Sequence, residues 1–141
     1  MEVLNLTVRT EPVEAEWQDE NSKHTWKFKV RPAVESDRLK AALAVGLKTL
    51  DEAIEGSPGG ALVSAEIAKR HLVSIVSVVN GSGELSMSFG GQDVRELDAE
   101  KLSQLFDAYG GLAGAVAGTA RGHGIRLEQE RGNSLPAPSS P

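Results

Sequence analysis

The stretch from Leu97 to Arg121, LDAEKLSQLFDAYGGLAGAVAGTAR, constrains this chain more than any other. Its apolar residues Leu102, Leu105, Phe106, Tyr109, Leu112, Ala113 and Val116 recur in steps of three and four, the spacing of one stripe on an α-helix. Asp98 stands where an N-cap belongs, and Glu100 sets negative charge against the positive end of the helix dipole. Glycines then follow every fourth residue, at Gly110, Gly114, Gly118 and Gly122. A glycine inside a helix costs about 1 kcal/mol relative to alanine, so four in register need a reason. Three are open: close packing inside the domain, a frayed helix end, or contact with another molecule. Small residues four apart let two helices approach closely, most familiarly in membranes.

Upstream the period changes to two. Leu4, Leu6 and Val8 alternate with Asn5, Thr7 and Arg9, which predicts a strand over Val3–Arg9 that Pro12 interrupts. Val13, Ala15 and Trp17 alternate with Glu14 and Glu16; Trp26, Phe28 and Val30 alternate with Lys27 and Lys29. An antiparallel pairing with Glu16 opposite Lys27 puts Glu14 opposite Lys29, Ala15 opposite Phe28 and Trp17 opposite Trp26. All apolar residues then share one face, and each acid meets a base on the other. A slip of one residue would turn the apolar set to solvent, so the register is well specified. The outer charges read as a solvated face or as a docking surface.

Leu39, Leu43, Gly46, Leu47, Leu50 and Ile54 keep helical spacing after Pro32, with Ser36 or Asp37 as cap and Gly56-Ser57-Pro58 as stop. A second helix is predicted from about Ala61 to Val79 on Leu62, Ile67, Leu72, Ile75, Val76 and Val79. Its β-branched end leaves an alternative open: a strand over Leu72–Val79 that turns at Asn80-Gly81 into Glu84–Phe89. The length rule favours the helix, followed by a short strand or arm over Leu85–Phe89. Leu39, Leu43, Leu50, Leu72, Ile75, Leu105, Phe106 and Tyr109 are expected to be buried together. The fold class that results is α+β, mainly α. An N-terminal antiparallel hairpin or small sheet (1–32) precedes a bundle of about three helices (33–121), the two forming a single globular domain over 1–121. From Gly122 the composition turns poor in aliphatics and ends in Pro, Ser and Ala, so 122–141 is expected as a flexible tail, with Ile125–Glu130 able to extend a helix briefly.

No chemistry-bearing constellation rises from the sequence. There is no cysteine, which removes disulfides, thiolate metal sites and cysteine nucleophiles. His24, His71 and His123 share no metal-binding spacing, so no catalytic, cofactor-binding or metal-ligating residue is assigned and no cofactor is expected. Gly59-Gly60 and Gly81-Ser82-Gly83 lack the lysine and hydroxyl of a phosphate loop, and turn chemistry accounts for both. The formal net charge of -5 argues against sequence-independent nucleic-acid binding. The N-terminus has no basic-then-apolar leader and the longest apolar run is far below bilayer length, so a cytoplasmic protein without a membrane partner is expected.

Read in order, the chain resembles the tail assembly chaperones of long-tailed (siphovirus-type) bacteriophages. Three short motifs over about residues 24 to 113 carry the likeness. A hairpin ends in Val30-Arg31-Pro32, an Asp37-Arg38 pair enters a helix, and a late helix reads Leu102, Leu105, Ala108 and Tyr109. The glycine-rich segment after Tyr109 departs from that pattern. The resemblance implies a non-enzymatic protein of the host cell cytoplasm. Such a protein holds the long, helical, aggregation-prone tape-measure protein soluble until tube subunits polymerise around it, usually alongside a longer frameshifted form. It implies a partner in the tape-measure protein or another tail protein, and leaves homo-oligomerisation open. Leu102, Leu105, Tyr109, Gly110, Gly114 and Gly118 are the candidate partner-binding residues. The rival reading is a virion structural protein, such as a minor tail or head–tail joining component.

Overall fold

The two alternating segments form strands β1 (Val13–Gln18) and β2 (Thr25–Val30), antiparallel in the predicted register, with Glu14 opposite Lys29, Glu16 opposite Lys27 and Trp17 opposite Trp26. Glu16 and Lys27 stand 3.8 Å apart on the outer face, while Trp26, Phe28 and Val30 are buried on the inner one. The computed structural model describes residues 9–54, 56–81 and 83–134, without the side chains of 131–134. The strand predicted over Val3–Arg9 therefore lies, Arg9 apart, outside the described residues. Arg9 itself bridges Glu11 and Glu130, the latter at 2.9 Å.

After Pro32 the chain enters α1 (Glu35–Ala44), where the Asp37 carboxylate accepts the Val34 N–H at 2.8 Å. The helix ends far earlier than the leucine spacing predicts. Gly46 takes a positive φ, and a 3₁₀ turn over Leu50–Ala53 leads to α2 (Pro58–His71). The predicted core is corrected here as well. Helix α1 packs through Ala41 and Ala42, which leaves Leu39 and Leu43 on the opposite side, 43% and 58% exposed. Alanines permit close helix approach, and the two larger leucines are displaced from the interface.

Ser57 starts α2 as its cap, with the hydroxyl accepting the Gly60 N–H at 3.0 Å and Pro58 at the first position. The helix stops at His71. Residues Leu72–Asn80 form strand β3, not the helix extension expected to Val79, and the alternative reading of that run is the one realised. β3 is the third strand of a four-stranded antiparallel sheet of order β1-β2-β3-β4, with β4 (Gly83–Leu85) returning after the Asn80-Gly81 turn. The β-branched run prefers this half-buried surface, with Ile75 and Val78 turned to the core. A small ladder of β5 (Ser88–Phe89) and β6 (Gln92–Asp93) follows, closed by Gly90-Gly91. Both of these glycines have positive φ, as a tight hairpin turn requires.

The organising stretch is two helices, α3 (Ala99–Ala108) and α4 (Gly110–Ser134), not one. Asp98 caps α3 as predicted, accepting the Lys101 N–H at 2.8 Å. The break is at Tyr109, whose N–H still bonds Leu105 O while its own carbonyl accepts from Ala113. The tail expected from Gly122 is corrected: α4 runs through it to Ser134. Leu112, Val116, Ala120, His123 and Leu127 are buried along one face of α4. Residues 135–141 lie outside the described residues. The described residues form a mixed α/β fold in which four helices and a four-stranded sheet share one core, with Phe28, Ile67, Leu105, Phe106 and Val116 at its centre. The expected bundle of about three helices thus has four among the described residues, and the expected hairpin is two strands of a four-stranded sheet.

Candidate functional site

Helices α2 and α4 lie against each other, and their outer faces enclose an open groove of about 790 Å³. Its α4 wall is the glycine series: Gly110, Gly114, Gly118 and Gly122 all line it. All four are exposed, and a Cβ added at any of them would meet nothing within 4 Å. The stripe therefore does not serve internal packing. The glycines that do are elsewhere. At Gly111 a Cβ would press to 2.9 Å on the Trp17 ring, and at Gly59, Gly60 and Gly124 it would collide with the backbone oxygens of Glu52, Ile54 and Ala33.

The six predicted partner-binding residues divide. Gly110, Gly114 and Gly118 come together along the groove. Tyr109 is not in the core as expected: it is 47% exposed, with its ring edge-on to Phe89 at 6.5 Å. Leu102 is half-buried against the core, and Leu105 is only 1% exposed, so it is structural and unavailable to a partner. Of the other expected core residues, Leu50 and Leu72 are half-buried at its margin, while Ile75 and Phe106 are fully within it.

Two contributions were not visible beforehand. One is the α2 wall, with Ala61, Leu62 and Ala65; Leu62 is half exposed. The other is Ile125, which continues the glycine face beyond the expected end of the helix and is 53% exposed. The three-and-four spacing from Gly118 through Gly122 to Ile125 was the available signal. The charged residues that line the groove are Arg38, Asp107 and Arg121.

The histidines have structural surroundings. His123, expected between mobile glycines, is buried on α4. Its Nδ1 accepts from the Arg126 guanidinium at 2.6 Å, so its Nε2–H donates to Glu11 O at 2.7 Å. His71 closes α2. Burial holds its imidazole below the ordinary histidine range, outweighing Asp37 at 4.0 Å. Asp93 is held at about 2 by the Arg95 side chain and N–H that it accepts, which pins the turn before α3. Among the described residues no group of three or more His, Cys, Asp or Glu is placed to hold a metal ion, and no helix is long and apolar enough to cross a membrane.

Fold and groove together define a small mixed α/β protein with an open groove lined largely by small residues. No family model, no curated protein and no solved structure matches the chain.

Proposed function

We propose that this protein is a non-enzymatic tail assembly chaperone of the long-tailed bacteriophage type, holding the tape-measure protein soluble in the host cytoplasm. The observation that carries the reading is the groove. A floor of glycine and alanine with Leu62 and Ile125 on its rims suits the apolar face of a client helix laid along α4. The lining offers shape and apolar contact, with Arg38, Asp107 and Arg121 its charged members, which fits recognition of a long repetitive helical client by form. The hairpin ending at Val30-Arg31-Pro32 and the helix entered by Asp37-Arg38 supply the family likeness.

Co-expression with the tape-measure protein tests this. The expected result is a soluble complex of the two, with the tape-measure protein insoluble when expressed alone. Mass spectrometry of purified particles is expected to find this chain absent. Its presence there at fixed stoichiometry would replace the reading with that of a virion structural component.

A further inference from the structure

The turn out of β2, the start of α1 and the end of α2 meet around one imidazole. The Arg31 N–H donates to His71 O at 2.8 Å, and the Arg31 guanidinium donates to Arg70 O at 2.9 Å. The His71 side chain is 13% exposed, and its Nδ1 is wholly buried with no hydrogen-bond partner. No other side-chain nitrogen or oxygen is buried in that state among the described residues. Its Nε2 stands 4.0 Å from Asp37 Oδ2, beyond a hydrogen bond. That oxygen is already engaged, accepting the Val34 N–H at 2.8 Å at the start of α1. Asp37 from α1 and Arg31 from the turn after β2 are the charged groups that face the ring, together with the backbone of Arg31 and Pro32. Arg38, Lys69 and Arg70, their neighbours in sequence, pair with Glu35 and Glu66.

With the Nε2 proton toward the Asp37 carboxylate, the neutral ring leaves Nδ1 an acceptor without a donor. A second proton makes Nδ1 a donor in the same buried surroundings and draws Asp37 toward Nε2. The carboxylate cannot reach the ring from its capping position, so pairing with the imidazolium displaces the first turn of α1. We infer that His71 and Asp37 form an acid-sensitive latch, in which the neutral ring seats α1 on the end of α2 and protonation loosens it. Burial opposes the charged ring and holds His71 below the ordinary histidine range, so the fold disfavours the proton. The latch is therefore closed well above about pH 6.5, where histidine is neutral in folded and unfolded chains alike, and its contribution is lost as the pH falls below that value. Helix α1 also carries Arg38, which lines the groove, so a loosened α1 holds a client less firmly. That consequence rests on the proposed function; the latch itself does not.

An NMR titration of the His71 ring in the full chain tests the latch without any variant, and is expected to fall below the ordinary histidine range. Asp37→Asn keeps an oxygen for the Val34 N–H and removes the charge. It is expected to lower the His71 titration further, which a histidine that merely packs there would not show. In urea denaturation between about pH 7.5 and about pH 5.5, one disfavoured proton weakens folding by up to about tenfold per pH unit. His71→Phe, which keeps a buried ring without the titration, is expected to lose that part of the profile, and His71→Gln to lose it likewise. Hydrogen exchange, corrected for its intrinsic pH dependence, is expected to place the loosening in Glu35–Ala44. A wild-type ring that titrates at or above the ordinary range, a titration unmoved by Asp37→Asn, or acid profiles identical in wild type and both His71 variants would each overturn the inference. Capture of the tape-measure protein that weakens in acid for the wild type and holds for His71→Phe ties the latch to the groove. Capture indifferent to pH beside a working latch removes that tie alone. A working latch with no capture at any pH removes the chaperone reading and leaves the latch.

Discussion

Leu105→Ala is expected to lower unfolding stability by about 2–5 kcal/mol, the range for truncating a buried leucine. Leu105 is 1% exposed in α3, next in sequence to Phe106 at 1%, and both belong to the core cluster that includes Phe28, Ile67 and Leu112. Removing its isobutyl group forfeits the transfer free energy of those carbons and leaves a void that neighbours on sheet and helices cannot all close. Urea denaturation measures it. A loss under about half a kcal/mol, the size of an ordinary surface substitution, would mean that α3 does not pack as described.

Two glycines of one helix are expected to respond to alanine with opposite signs. At Gly118 a Cβ meets open space, so Gly118→Ala keeps only the propensity gain, up to about 1 kcal/mol of added stability. At Gly124 the same atom would fall 2.1 Å from Ala33 O and 2.8 Å from its carbonyl carbon. Both are backbone atoms and cannot rotate aside. The neighbouring Ala33 N–H to Ala120 O bond, at 2.9 Å, ties that segment to α4, so relief of the overlap would strain it as well. Overpacking of this kind costs about 1–3 kcal/mol, which outweighs the propensity gain. Gly124→Ala is therefore expected to be net destabilising by denaturant titration. A Gly124→Ala variant as stable as Gly118→Ala would show that α4 does not dock on the Pro32–Val34 segment.

The hairpin was legible to the residue because two independent signals agreed: a two-residue apolar period and a charge match across the strands. The cap at Asp98 was legible because a short side chain before an acidic first turn has few other uses. Leu72–Val79 was not, since its apolar residues, broken only by Ser74 and Ser77, follow neither period cleanly and only its β-branched content argued for a strand. What decided it is tertiary: β2 offers its second edge, with Phe28 opposite Ile75 and Trp26 opposite Val78. Leu39 and Leu43 misled for a different reason. Helical spacing reports a stripe without saying which stripe is buried, and α1 uses Ala41 and Ala42. Gly122–Ser134 read as tail because its glycines and charges hid a face spaced Ala120, His123, Gly124 and Leu127. The glycine series itself stood out in the sequence, yet its partner wall on α2 depended on how the helices fold together.

That the glycine bed is where the client helix lies is tested most directly by Gly114→Leu/Gly118→Leu. Both substitutions raise helix propensity, and both project into the open groove. The fold is expected to survive, with a melting temperature at or above the wild type's, while co-purification with the tape-measure protein is lost. A stable double variant that captures the tape-measure protein as the wild type does would contradict the assignment of the groove.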